Sequence, residues 1–163
     1  MTYLNNISKQ EVSGVAMLND WLTADTIHIR HDITTWRDAV LASATPLLEK
    51  GIITADYVQA IFAQHEKLGP YYVLAPGIAM PHARPEEGAK ALGLSLLTLP
   101  HGVKFNSEHN DPVFTVVMLA APDKHSHIEL ISELAELFSS DDEMQKIHQA
   151  KDIKSIQDII AKF

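Results

Sequence analysis

The sequence predicts an α/β fold in layers, a mixed central β-sheet sandwiched by helices on both faces. Helical periodicity occupies both ends of the chain, and a block of short strand-like runs occupies its middle third. Two of those runs, residues 92–99 and 113–121, are almost unbroken in apolar residues, as strands covered on both faces require. At 163 residues, 46% apolar and 21% charged, the chain suits a single domain (residues 1–163) whose core needs no covalent staple.

Residues 1–15 show little periodicity and read as an arm or a short helix. In residues 27–33, Ile27, Ile29 and Ile33 alternate with His28, Arg30 and Asp32, which is a strand pattern. Thr34 or Thr35 then caps a helix reaching about Lys50, with Val40, Leu41, Leu47 and Leu48 as its apolar stripe and Gly51 as its stop. Pro46 should kink that helix or loosen its last turn. Thr54 caps a second helix carrying Tyr57, Val58, Ile61 and Phe62, ended by Gly69-Pro70. Residues 71–74, 78–80, 92–99, 103–105 and 113–121 are strand-like, separated by Pro, Gly and Asn groups that form turns. Helices return at residues 126–138, 141–150 and 153–162.

Composition removes several function classes. Acidic residues outnumber basic ones 21 to 13, for a net charge of −8, and no Lys/Arg cluster occurs, which argues against nucleic acid and against anionic membranes. No apolar run approaches the ~20 residues of a spanning helix, and the N-terminus lacks the basic and apolar regions of a signal peptide. The absence of cysteine excludes disulfides, thiolate metal sites and cysteine nucleophiles, and suits a cytoplasmic protein. Neither a glycine-rich phosphate loop nor a G-x-S-x-G nucleophile elbow is present.

Nine histidines invite a metal hypothesis, but their spacing offers no H-E-x-x-H and no helical pair with a third ligand, so no metal is expected and most read as solvated surface residues. Two stand apart. His82 lies in Gly77-Ile78-Ala79-Met80-Pro81-His82-Ala83-Arg84-Pro85, where prolines on both sides stiffen a presented loop. Such a loop suits a nucleophile, although taken alone it reads first as a turn that ends a strand. His127 lies in Ser126-His127-Ile128-Glu129, an S-x-x-E capping box with Ser126 as the cap. There it heads the stripe Leu130, Ile131, Leu134, Leu137 and Phe138, either as a core histidine or as part of a buried site at a helix N-terminus.

Residues 69–88, Gly-Pro-Tyr-Tyr-Val-Leu-Ala-Pro-Gly-Ile-Ala-Met-Pro-His-Ala-Arg-Pro-Glu-Glu-Gly, closely resemble the active-site segment of phosphotransferase-system enzyme IIA components. The resemblance is to the mannitol/fructose type, most similar to the ascorbate-type branch. It extends through Asn110-Asp111-Pro112-Val113 and the helix opened by His127, covering nearly the whole chain from Ile27. It implies a phosphotransferase in which His82 accepts a phosphoryl group from the phosphocarrier HPr and passes it to a cysteine of enzyme IIB. His127 is then the second active-site histidine. No cofactor is implied, and the membrane IIC transporter is served only indirectly. The family's upstream Arg-Glu pair is replaced here by Gln64-His65-Glu66-Lys67, which leaves Arg84 or Lys67 to neutralise the phosphoryl group. A regulatory phospho-acceptor using the same site is the alternative, and a homodimer stays open.

Overall fold

In the computed structural model, which describes residues 17–163, successive side chains of the two central strands enter different cores. The arm or short helix expected at residues 1–15 lies outside these residues. The elements run α1 (Leu18–Trp21), β1 (Ile27–Ile29), α2 (Trp36–Glu49), α3 (Ala55–Leu68), β2 (Val73–Ala75), β3 (Ile78–Ala79), a single 3₁₀ turn (Pro85–Glu87), β4 (Gly93–Val103), β5 (Val113–Ala120), α4 (Ile128–Phe138), α5 (Asp141–Gln149) and α6 (Ile153–Ile160). The strands form one mixed sheet in the order β1-β4-β5-β3-β2. β1 is parallel to β4 and β3 to β5, whereas β4–β5 and β2–β3 are antiparallel.

Leu97, Leu99, Val116 and Met118 point to the face covered by α2 and α3, while Leu94, Leu96, Val117 and Leu119 point to the face covered by α1, α4, α5 and α6. The period of two therefore serves both cores, and the predicted sandwich is the observed one. Ser95 on the first face reaches α2, where its hydroxyl donates to the carbonyl of Ser43.

Several local readings change. The Pro100 to Gly102 group is no turn: β4 runs through it, with a register shift between Thr98 and Val103, so residues 103–105 are not a separate strand. The first strand ends at Ile29: Arg30 N–H makes one more ladder bond, to the Thr98 carbonyl at 3.1 Å, and the Arg30 and Asp32 side chains pair with one another in solvent. The four-residue helix α1 carries too little periodicity to be seen in sequence, and it is held by burial of Leu18. Thr35 caps α2, accepting from Asp38 N–H at 3.2 Å, and the helix passes through Pro46 with its last turn closed by Lys50 N–H to Pro46 C=O at 3.1 Å. Thr54 occupies the N-cap of α3, but its hydroxyl makes no capping bond.

Leu97 is 1% exposed at the centre of the sheet. Its replacement by alanine is expected to lower unfolding free energy by about 2–5 kcal/mol in urea titrations, through lost burial and an unfilled cavity. Wild-type stability would mean that this face is not packed as described.

Candidate active site

Parallel pairing of β3 with β5 aligns Ile78 with Thr115 and Ala79 with Val116, so both strands end at the same edge of the sheet. The alignment continues past the end of β3, where Leu119 N–H of β5 donates to the Pro81 carbonyl at 3.2 Å. The chain leaving β3 carries His82, and the chain leaving β5 leads through Asp123 and Lys124 to His127. Both histidines line one cleft of about 460 Å³. The third wall is α3, whose Tyr57, Gln64 and Leu68 recur at i, i+7 and i+11 and so share one stripe.

His82 is half-buried and held by its neighbours. Its Nδ1 lies 2.8 Å from the Met80 carbonyl, an oxygen that can only accept, so Nδ1 carries the proton and Nε2 keeps its lone pair. The Tyr71 hydroxyl donates to the His82 carbonyl at 2.5 Å, and its ring meets the imidazole edge-on at 5.6 Å. The Tyr57 hydroxyl accepts from Ala83 N–H at 3.0 Å and donates to the Leu119 carbonyl at 2.7 Å, tying the His82 loop to the end of β5. Beyond the loop, Gly88 (φ 132°) accepts from Thr54 N–H at 3.0 Å, and a Cβ there would collide with the Thr54 hydroxyl. Burial pushes both Tyr57 and Tyr71 up to about 12, so the two phenols stay neutral donors across the physiological range.

His127 occupies the N-cap of α4 itself, one residue later than the capping-box reading implies. Asp123 causes the difference: its carboxylate accepts from His125 N–H at 2.8 Å and Ser126 N–H at 2.7 Å, folding residues 123–126 into a turn ahead of the helix. Those same bonds hold the Asp123 carboxyl below its ordinary range. No side chain caps α4, and the buried Nδ1 of His127 has no hydrogen-bond partner among the described residues. Leu130, Leu134 and Leu137 enter the core as expected, whereas Ile131 is 36% exposed.

Of the two expected cations, Arg84 lines the cleft, but its guanidinium lies 3.5 Å from the Glu87 carboxylate and 3.9 Å from Glu86. Lys67 does not line it, since ~3.6 residues per turn put it roughly 80° round α3 from the Tyr57–Gln64–Leu68 stripe. Gln64 takes the cleft-facing place. His65 turns inward, stacked on Trp36 at 3.7 Å with Nδ1 2.6 Å from the Tyr72 hydroxyl, and burial lowers its pKa. Lys124, which sequence reasoning did not single out, lines the cleft as well. A polar Gln64 on the stripe of Tyr57 and Leu68 was the available signal for the α3 wall; nothing local marks Lys124. No group of three His, Asp or Glu residues among the described ones has the arrangement of a metal site.

Residues 20–163 match the family model described as phosphoenolpyruvate-dependent sugar phosphotransferase system, EIIA 2. The chain is 39% identical over 145 residues, 89% of its length and 98% of the relative's, to a mannitol-specific cryptic phosphotransferase enzyme IIA component of Escherichia coli K12. It is 38% identical over 136 residues, 83% of its length and 88% of the relative's, to an ascorbate-specific PTS system EIIA component of Shigella boydii. The solution structure of the E. coli mannitol-specific cryptic enzyme IIA superposes with a TM-score of 0.84 at 38% identity, covering 91% of this chain and all of that one.

The tyrosine clamp makes stability depend on alkaline pH. A phenol whose pKa rises from 10.0 unfolded to about 12 folded contributes stability that is complete below pH 10 and is lost as pH climbs toward 12. Chemical denaturation between pH 8 and 12 should therefore show a decline that begins near pH 10 and is shallower in Tyr57→Phe, which should also lose about 1–3 kcal/mol at neutral pH. A flat profile in the wild type would mean that these hydroxyls are solvated.

Proposed function

Because this chain belongs to the EIIA 2 family of the phosphoenolpyruvate-dependent sugar phosphotransferase system and is a phosphotransferase, we propose that His82 is its phospho-acceptor. The phosphoryl group comes from phospho-HPr and leaves to a cysteine of an enzyme IIB, which on the strength of residues 69–88 is of ascorbate type. The transfer takes place in the cytoplasm, and no helix among the described residues is long and apolar enough to cross a membrane. One observation carries the reading: the Nδ1 proton of His82 is committed to the Met80 carbonyl, so the nucleophilic lone pair resides on Nε2.

The step balances without a cofactor. The Nε2 lone pair forms an N–P bond as the donor's P–N bond breaks, and that electron pair returns to the donor imidazole. The His82 ring then carries the phosphoryl group on Nε2 and a proton on Nδ1, and Met80 O stabilises the positive charge that this creates. In the onward step a cysteine thiolate forms an S–P bond while N–P breaks and the pair goes back to Nε2. Phosphoryl transfer asks for in-line placement and for charge stabilisation on three equatorial oxygens. Tyr57 and Tyr71 supply placement by fixing the loop backbone. His127 supplies stabilisation: its unpartnered ring and the uncapped α4 N-terminus favour an anion in the cleft. Arg84 adds positive charge at the rim, attenuated by Glu86 and Glu87.

Incubation with phosphoenolpyruvate, enzyme I and HPr should add one phosphate, mapped by mass spectrometry to His82 and absent in a folded His82→Ala protein. Stable labelling of His82→Ala elsewhere would overturn the assignment. His127→Ala should slow transfer by about a hundredfold. Its melting temperature should stay near that of the wild type, because the missing Nδ1 had no partner to lose. Normal transfer with a large drop in melting temperature would make His127 a core residue.

A further inference from the structure

We propose that Lys124 is the residue that neutralises the transferring phosphoryl group, a role that rests on His82 being the phospho-acceptor. Four charged side chains line the cleft: Arg84, Glu87, Asp123 and Lys124. Three of them are committed. Glu87 accepts from Arg84 N–H at 2.9 Å and lies 3.5 Å from the Arg84 guanidinium, and Glu86 adds a second carboxylate at 3.9 Å. Asp123 is committed to the backbone N–H groups of His125 and Ser126. Lys124 alone of the four has neither an ion pair nor a hydrogen bond from its side chain among the described residues. The ammonium is thus available to an anion that enters the cleft, and three mobile donors on a flexible stem can follow the group as it arrives and departs.

Its place in the fold supports the role. Lys124 sits on the exit from β5, between Asp123 and the His127 cap, and the Asp123 turn fixes the backbone on which it stands. The α3 wall presents the neutral amide of Gln64, and Lys67 is turned away from the cleft. In the loose transition state the charge of the transferring group is spread over three equatorial oxygens while neither imidazole holds the phosphorus firmly, so a cation placed at those oxygens acts on the chemical step rather than on the encounter. Lysine carries this job without a carboxylate partner to hold it back, which distinguishes it from Arg84.

The test is single-turnover transfer from phospho-HPr, following label on His82 over a range of HPr concentrations, for wild type, Lys124→Met and Lys124→Arg. Lys124→Met should lower the saturating rate by about tenfold or more with the half-saturating HPr concentration changed less than about twofold, and Lys124→Arg should recover most of the rate. Melting temperatures should be unchanged, since the side chain is exposed. A saturating rate equal to wild type, or a loss seen only as weaker half-saturation that disappears at high salt, would assign Lys124 to docking and overturn the proposal. Failure of the wild-type protein itself to take label at His82 would overturn the underlying reading instead, and this role with it.

Discussion

Burial of β4 and β5 on both faces is the constraint from which the rest follows. A strand pair with apolar side chains above and below must be covered twice, and helices from both ends of the chain do so. Few polar groups sit at the sheet's centre: the Ser95 hydroxyl finds a backbone carbonyl, while the paired Thr98 and Thr115 bury hydroxyls that have no partner among the described residues. Chemistry is displaced to the strand ends. Because β3 lies parallel to β5, two loops distant in sequence emerge at one edge, and the cleft between them is a product of the topology.

Within the cleft, neutral hydrogen bonds fix the position of the His82 loop, and of the charged lining residues only Lys124 is left without a partner among the described residues. Tyr57 joins the His82 loop to the end of β5, and Tyr71 holds the His82 carbonyl. Both are phenols that burial keeps protonated, so neither adds negative charge to the cleft. Behind them, His65 Nδ1 and the Tyr72 hydroxyl pair under the Trp36 ring, while the buried His65 Nε2 has no partner among the described residues. The inward turn of His65 is what allows Gln64, a neutral residue, to face the cleft from α3. Positive charge must then come from the opposite loops.

The layered architecture was legible because it depends on long, strong patterns: two nearly continuous apolar runs and amphipathic helices around them. His82 was legible through its flanking prolines and His127 through its helix, though each was ambiguous until the resemblance joined them. What escaped was short or non-local. Four residues of α1 show no periodicity, and the path of β4 through Gly102 lies against Pro112, just before the neighbouring strand, and Phe114 on it. The start of α4 shifted by one residue because Asp123, outside the S-x-x-E pattern, took the N–H groups of His125 and Ser126. The tautomer of His82 depends on the path of the chain that brings the Met80 carbonyl to Nδ1, which no side-chain pattern encodes.

The central claim is that the Met80 carbonyl fixes the proton on Nδ1 of His82 and so selects Nε2 as the nucleophile. Long-range ¹H–¹⁵N correlation spectra of uniformly labelled protein, recorded before and after phosphorylation, test it directly. The account predicts a bare Nε2 in the resting protein and phosphorus coupled to Nε2 afterwards. A proton on Nε2 at rest, or phosphate on Nδ1, would contradict it.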